Sequence, residues 1–281
     1  MTILVIGARG AVGRQVVAGL RAAGRPVRAS VRDLAKADFG PGIEVVQADL
    51  TLPETLPAAL DGVSQVFLYA EPSGAADFGK AASAAGVERV VLLSSGSVLV
   101  PWATSNRITA EHRLTEELLS ANGPELVPIR PLALANNARS WAWSIRSERI
   151  VRLVHPESVS APIHERDIAE VAVAALSGAD PRAVSALLTG GEPLTLRTQV
   201  GLIAAAIGAP IAVEEIDETR AHEMFGMGGT VETELMEAVL HFVRRGTEPG
   251  GWYRTDTAEH LLGRPPLQFS AWAQDHAADF T

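Results

Sequence analysis

The chain has no cysteine among its 281 residues and only two lysines, Lys36 and Lys80. The missing thiols exclude disulfides, thiolate nucleophiles, iron–sulfur clusters and thiolate zinc sites together, and they suit a reducing cytoplasm. Positive charge is in short supply: the formal net charge is -9, so the basic stripe that nucleic acid requires is not expected. Long apolar runs are lacking as well. The longest, residues 201–213, is broken by Gly208 and Pro210 and is too short to span a bilayer, so no membrane contact is expected. The N-terminal residues already read as a core strand, so no signal peptide is expected. His155, His222 and His241 show no metal-ligand spacing with partner carboxylates, and no metal is expected. What remains, 47% hydrophobic and 20% charged, is the composition of a globular, cytoplasmic protein.

The most informative segment is Thr2-Ile3-Leu4-Val5-Ile6-Gly7-Ala8-Arg9-Gly10-Ala11-Val12-Gly13-Arg14. Ile3 to Ile6 is an unbroken apolar run, the sign of a parallel strand covered on both faces. Three glycines then recur at a spacing of three, each permitting close backbone approach. The helix that follows aims unpaired N–H groups and its positive dipole end at the same point. Such a turn suits a nucleotide diphosphate, held by Gly7, Ala8, Arg9, Gly10, Ala11, Val12 and Gly13.

Strand and helix signals alternate onward. Strands are expected at residues 27–31, 43–47, 64–69, 89–94 and 126–130, with helices at 53–60, 75–85 and 107–121. This is the pattern of an α/β, Rossmann-type, doubly wound parallel sheet, whose usual strand order is 3-2-1-4-5-6. Further on, Asp167 to Glu170 reads as a capping box opening a helix at Ile168, and helices are expected at 198–207 and 231–245. Residues 186–189 read as a strand, and the tail as two short helices around Gly263 to Pro266. The dinucleotide-binding domain is expected to span 1–153, with 160–190 returning to it. A smaller C-terminal α/β lobe, 191–281, is expected to bind substrate at the carboxyl edge of the sheet.

An acidic residue ending the second strand would take the ribose 2′-hydroxyl of NAD. Here Arg32 follows that strand directly, and Arg9 lies inside the glycine turn. Two guanidinium groups suit a 2′-phosphate and favour NADP(H). The alternative is that both are solvated surface arginines, with Asp33 neutralising Arg32. Asp49 and Leu50, past the third strand, are placed for the adenine edge, or Asp49 serves a turn.

These residues resemble the NmrA-like family of atypical short-chain dehydrogenases/reductases. The first turn is similar to the family's GATGxxG form, with Arg9 in place of threonine. Val27 to Asp33 resembles its second strand with a trailing arginine, which implies NADPH. Ala48-Asp49-Leu50 with Leu60 to Val63 resembles the adenine-side segment, and Val90 to Ser95 the fifth strand. Ile129-Arg130-Pro131 through Asn136-Asn137 resembles the RPxxxxEN segment, and Gly263 to Pro266 with Phe269, Trp272 and His276 the C-terminus. The resemblance also implies cofactor contacts at Tyr69, Ala70, Ser94, His112 and Pro131. The AEHxxTE run at Ala110 to Glu116 is most similar to the NADPH:quinone oxidoreductase branch. One departure matters. With tyrosine only at 69 and 253, and lysine only at 36 and 80, the superfamily's Tyr-x-x-x-Lys pair cannot exist here.

Hydride transfer to an ordinary ketone needs an acid for the developing alkoxide. A quinone or conjugated carbonyl gives a delocalised, weakly basic oxyanion, so water or a single histidine suffices. His112 is the first candidate proton donor or ribose contact. An apolar stripe of Ala110, Leu114 and Leu118 would leave it off the core face, at the cofactor rim or in water. Tyr69 either walls the nicotinamide, donates a proton, or packs in the core. Ala133 and Leu134 replace aromatic residues and widen the substrate pocket that Asn137 borders. Trp141 and Trp143 form an aromatic wall or ordinary packing. The expected activity is NADPH-dependent reduction of a quinone-like or conjugated aromatic carbonyl small molecule. The competing readings are a non-catalytic NAD(P)-binding redox sensor and an isomerase or cyclase. A homo-oligomer is compatible with the sequence.

Overall fold

Ile3, Leu4 and Val5 have no solvent contact, as a strand covered on both faces requires. They belong to β1 (Thr2–Val5) in a computed structural model that describes residues 2–225 and 230–281. In chain order follow α1 (Ala11–Ala22), β2 (Val27–Val31), β3 (Glu44–Gln47), α2 (Leu56–Leu60), β4 (Val63–Tyr69), α3 (Pro72–Ala84) and β5 (Arg89–Leu93). Next come α4 (Arg107–Asn122), β6 (Glu125–Pro131), α5 (Ala142–Glu148), β7 (Ile150–Leu153), β8 (Val159–Ser160), α6 (Glu165–Leu176), α7 (Pro181–Val184) and β9 (Leu187–Leu188). The chain continues through β10 (Leu194–Thr195), α8 (Leu196–Ile207), β11 (Ala212–Glu215), α9 (Glu218–Phe225), α10 (Thr230–Arg245), α11 (Thr257–Leu262) and α12 (Phe269–Asp275).

The main sheet has seven strands in the order β3-β2-β1-β4-β5-β6-β9. All neighbouring pairs from β3 to β6 are parallel. The Rossmann-type sheet expected from the alternating signals is therefore present, extended by β9. Leu4, Ile6, Leu68 and Leu92 share one face with Leu56, Leu60 and Phe78 of the covering helices. Phe78 is fully buried, so truncating it to alanine would cost about 3–5 kcal/mol. Gly74 lets the first turn of α3 lie against the chain after β3, since a Cβ there would sit 2.2 Å from the Leu50 carbonyl oxygen. On the opposite face α1 packs on α6, with Gly19 opening room for Val173.

Two units divide the chain. The first holds residues 1–100, 109–131 and 165–187, and the second holds 101–108, 132–164 and 188–281. Residues 132–153 thus fall outside the first unit, contrary to a boundary at 153. The reason is their packing: Ala135, Ala138, Ala142, Ile145, Val151 and Leu153 form one core with Val200, Ile203, Phe269 and Trp272. Trp272 is fully buried there, with Phe269 at 5.0 Å and Phe280 edge-on at 6.1 Å.

Helix α6 starts at Glu165, not at Ile168, and Asp167 lies inside its first turn rather than capping it. Acidic residues in a first turn complement the helix dipole and carry the helix N-terminally. Helix α8 is capped by Thr195, whose side chain accepts from the Thr198 N–H at 3.0 Å. The parallel pair β7 and β11 was not legible in the sequence. β11 is mostly exposed and carries two glutamates, so its apolar signal is weak.

Candidate dinucleotide site

Gly7 ends β1 with φ +76°, a left-handed backbone that L side chains rarely adopt. A Cβ at Gly7 would also lie 2.8 Å from the Tyr69 ring. The Gly10 N–H donates to the Gly7 carbonyl at 2.9 Å and closes the turn. Gly13 then brings α1 against that turn, because a Cβ there would stand 2.3 Å from the same Gly7 oxygen. Gly10 precedes α1 in extended conformation and offers no side-chain cap, and the first turn of α1 carries no acid. An uncapped helix N-terminus behind a glycine turn is what a diphosphate requires, and the residues fit that group. Ala8 and Val12 are buried, so what they can offer a ligand is main chain.

Arg9 and Arg32 are both exposed, and among the described residues neither forms an ion pair. Asp33 does not neutralise Arg32. Its carboxylate accepts from the Ala35 N–H at 3.0 Å and pairs with Lys36 at 3.5 Å. Asp49 accepts from the Thr51 N–H at 3.0 Å and the Thr51 hydroxyl at 2.8 Å. Those two bonds, with the nearby Arg32 charge adding to them, hold its carboxyl below the usual carboxylate range. Asp49 therefore serves its turn as well as standing near Arg32. Leu50 is 1% exposed, with its side chain packed in the core.

Tyr69 ends β4, with its ring against Gly7. Burial pushes its phenol above the ordinary value; the Arg32 charge works against that shift, and Glu71 and Asp49 work with it. The charges acting on Tyr69 thus come from the residues after β2 and β3 and from Glu71 just beyond β4. Ala70, next in the chain, is half-buried.

At the carboxyl end of β5, Ser94 is 4% exposed and its hydroxyl meets Glu116 Oε1 at 2.6 Å. Arg130, in β6, clamps the same carboxylate, with Nε to Oε1 at 3.0 Å and Nη2 to Oε2 at 2.6 Å. Its Nη1 donates to the Ser185 carbonyl at 2.9 Å. Pro131 closes β6 and is buried. Of the expected α4 stripe, Leu118 packs on the core, but Ala110 and Leu114 do not. Ala110 is exposed and Leu114 is 46% exposed, whereas Thr109, Thr115 and Leu119 are buried. His112 is half-buried and stands one turn before Glu116, so it lies on the inward side of the helix. Glu116 and Arg130 were missed as site residues. The i, i+4 relation of His112 to Glu116 was the available signal.

In the second unit, Ala133 and Leu134 are half-buried and bridged to Ile163, with the Ile163 N–H donating to Ala133 at 2.9 Å. Asn137 is exposed. Trp141 and Trp143 do not form one wall: Trp141 packs on the second unit's core, and Trp143 is 68% exposed. They lie in successive helical turns, where residues two apart point to different sides. Besides the Trp272 cluster, this unit holds a second group of aromatic rings. Trp102 stands 5.3 Å from Phe242 and 5.7 Å from His241, under the Arg245 guanidinium at 5.2 Å. Burial, then the Arg244 and Arg245 charges, lower the His241 pKa. His164 is nearly sealed from solvent beside Asp275 at 3.2 Å, as a structural histidine would be. Among the described residues no helix is long and apolar enough to cross a membrane.

A family model described as NAD(P)H-binding matches residues 7–179. The chain is 34% identical over 288 residues to a (4-alkanoyl-5-oxo-2,5-dihydrofuran-3-yl)methyl phosphate reductase of Streptomyces griseus, covering 99% of each. It is 30% identical over 294 residues to an NAD(P)H azoreductase of Xenophilus azovorans, again covering 99% of each. An NADPH-dependent quinone oxidoreductase of Escherichia coli, solved with NADPH, shares the fold with a TM-score of 0.78 at 22% identity, over 97% of this chain and 99% of that one.

Proposed function

The chain belongs to the NAD(P)H-binding family and is an NAD(P)H-dependent oxidoreductase; we propose that it takes NADPH and reduces a small quinone-like or conjugated aromatic carbonyl compound. The observation that carries the cofactor choice is the Arg32 guanidinium, exposed and without an ion pair among the described residues, beside Tyr69 and Asp49. With Arg9 in the glycine turn, it is available to a 2′-phosphate, which guanidinium binds bidentately. The main chain of Gly7 to Gly13 holds the diphosphate. Tyr69 and Asp49 border the adenosine, and Ser94, His112 and Pro131 the nicotinamide half.

The reduced nicotinamide, when bound, supplies the hydride. His112 is the proton donor of this site, and a weakly basic oxyanion asks no more of it than an imidazole or a water can give. The reading is supported by relatives named for a dihydrofuranone phosphate and for azo compounds, and by a fold neighbour named for quinones.

NADPH oxidation followed by absorbance tests this against quinones, conjugated enones and simple ketones. Turnover is expected with the first two groups and not with simple ketones, and NADH should serve about tenfold less well. Tight NADPH binding with no turnover on any acceptor would overturn the acceptor assignment.

A further inference from the structure

The Ser94 hydroxyl has one proton, and Glu116 takes it. The Glu116 carboxylate is gripped by Arg130 through both oxygens, at 3.0 Å and 2.6 Å, so it has only lone pairs to offer. The 2.6 Å contact from Ser94 Oγ to Glu116 Oε1 therefore runs in one direction, serine to carboxylate. Hydrogen bonds to an ionised acceptor are about twice as strong as neutral ones. Ser94 is 4% exposed and its main-chain N–H is occupied by the Ile129 carbonyl at 2.8 Å. Arg130 is itself anchored to the Ser185 carbonyl at 2.9 Å, so the carboxylate is held from β6 and cannot swing away without breaking the fork.

We propose that Glu116 is a positioning residue which, clamped by Arg130, fixes the Ser94 proton inward, so that Ser94 meets the bound nicotinamide half as a hydrogen-bond acceptor only. The inference rests on the dinucleotide reading above. It assigns Ser94 to a donor group of the cofactor, a ribose hydroxyl or the carboxamide N–H. It removes Ser94 from the groups that protonate or hydrogen-bond an oxyanion, since either task needs the proton that Glu116 holds. His112, one turn earlier on the same helix, keeps the acid role alone.

The test is NADPH fluorescence titration of wild type, Ser94→Ala, Glu116→Gln and the double variant, with the pH profile of kcat on a simple benzoquinone. Ser94→Ala should raise the Kd for NADPH about fivefold, the loss of about one hydrogen bond, and leave the shape of the pH profile unchanged. Glu116→Gln supplies a competing N–H and should raise Kd similarly, but not in the Ser94→Ala background, because it acts through that hydroxyl. A fall in kcat at unchanged Kd for Ser94→Ala, or a shifted pH profile, means that Ser94 donates to the acceptor, and the proposal fails. Equal weakening by Glu116→Gln in both backgrounds makes Glu116 a structural pillar and also overturns it. Should Glu116→Gln not fold, the Ser94→Ala titration decides by itself. Wild type that ignores NADPH overturns the dinucleotide reading and this inference with it; wild type that binds and turns over beside a silent Ser94→Ala overturns this inference alone.

Discussion

Reversing the charge at Arg32 separates the two nicotinamide cofactors. Arg32 is exposed, and its charge acts on Asp49, whose carboxylate is already occupied by Thr51. Arg32→Glu therefore breaks no ion pair among the described residues, and stability should move by less than about 0.5 kcal/mol. A 2′-phosphate would feel the full change. In water two unit charges about 4 Å apart interact by about 1 kcal/mol, and exposure here keeps the effective dielectric high. Reversal both removes an attraction and adds a repulsion, and it deletes a bidentate hydrogen bond besides. A loss of at least about 1.4 kcal/mol, or about tenfold in Kd, follows for NADPH. NADH, which lacks the phosphate, should lose little. Calorimetric titration of both cofactors at low and high salt is the assay, and the NADPH difference should shrink as salt screens it. The Asp49 carboxyl should titrate higher in the variant, since one of the charges that holds it down has been replaced by a repelling one. Equal loss for NADPH and NADH would refute the reasoning, because it would place Arg32 on a part of the ligand common to both.

Gly13→Ala would put a methyl group 2.3 Å from the Gly7 carbonyl oxygen and 2.9 Å from its carbon, so the turn or helix α1 must shift. Such overpacking costs about 1–3 kcal/mol, visible as a lowered Tm, and NAD(P)H affinity should fall with it; a variant with unchanged Tm and affinity would show that the turn is looser than its geometry. His112→Ala should lower turnover by about a hundredfold and NADPH affinity by about twofold or less, and unchanged turnover would remove His112 from the mechanism. His222 sits between the Glu218 carbonyl at 2.6 Å and Glu237 at 2.5 Å. The Glu218 carbonyl, then Glu237, raise its pKa above 6.5. A histidine raised on folding contributes stability that is complete below its unfolded pKa of about 6.5 and lost as pH climbs through the folded value. The wild-type Tm should therefore fall across that window by more than the Tm of His222→Ala; parallel curves would sink the assignment.

The sheet and the glycine turn were legible because each rests on a local rule. Buried strands such as residues 3–6 and 90–93 are continuous apolar runs, and the turn at Gly7 needs a residue that tolerates positive φ. Strand ends shifted by a residue or so, as at β1 and β5, without changing the order of the sheet. The second unit was harder to read. Its core draws Ala135 and Ile145 together with Phe269 and Trp272, more than a hundred residues later in the chain, and no window on the sequence spans that distance. The tryptophans show the same limit. Residues two apart share a face on a strand and diverge on a helix, so the wall expected of Trp141 and Trp143 depended on a backbone that the apolar pattern left open.

Helix α4 shows why the chemical half of the site resisted the same rules. Apolar periodicity finds the face of a helix that meets oil, and it pointed to Ala110, Leu114 and Leu118. The face that α4 turns inward carries Thr109, Thr115 and Glu116 beside Leu119, and its partners are a serine hydroxyl and a guanidinium rather than a row of leucines. Burying a carboxylate is tolerable only where a cation and further donors meet it, and Arg130 and Ser94 do so here. A helix that must present a polar group to a ligand therefore violates the pattern by which helices are oriented from sequence, and it does so where the function lies. The informative signal in α4 was the spacing of charge and imidazole, His112 to Glu116, set against an arginine one residue before the end of the neighbouring strand. In place of the missing Tyr-x-x-x-Lys pair stands a different set of charges: one cation fixed in β6, one anion between it and a serine, and a histidine one turn away, which under the proposed function gives the single proton that a delocalised acceptor asks for.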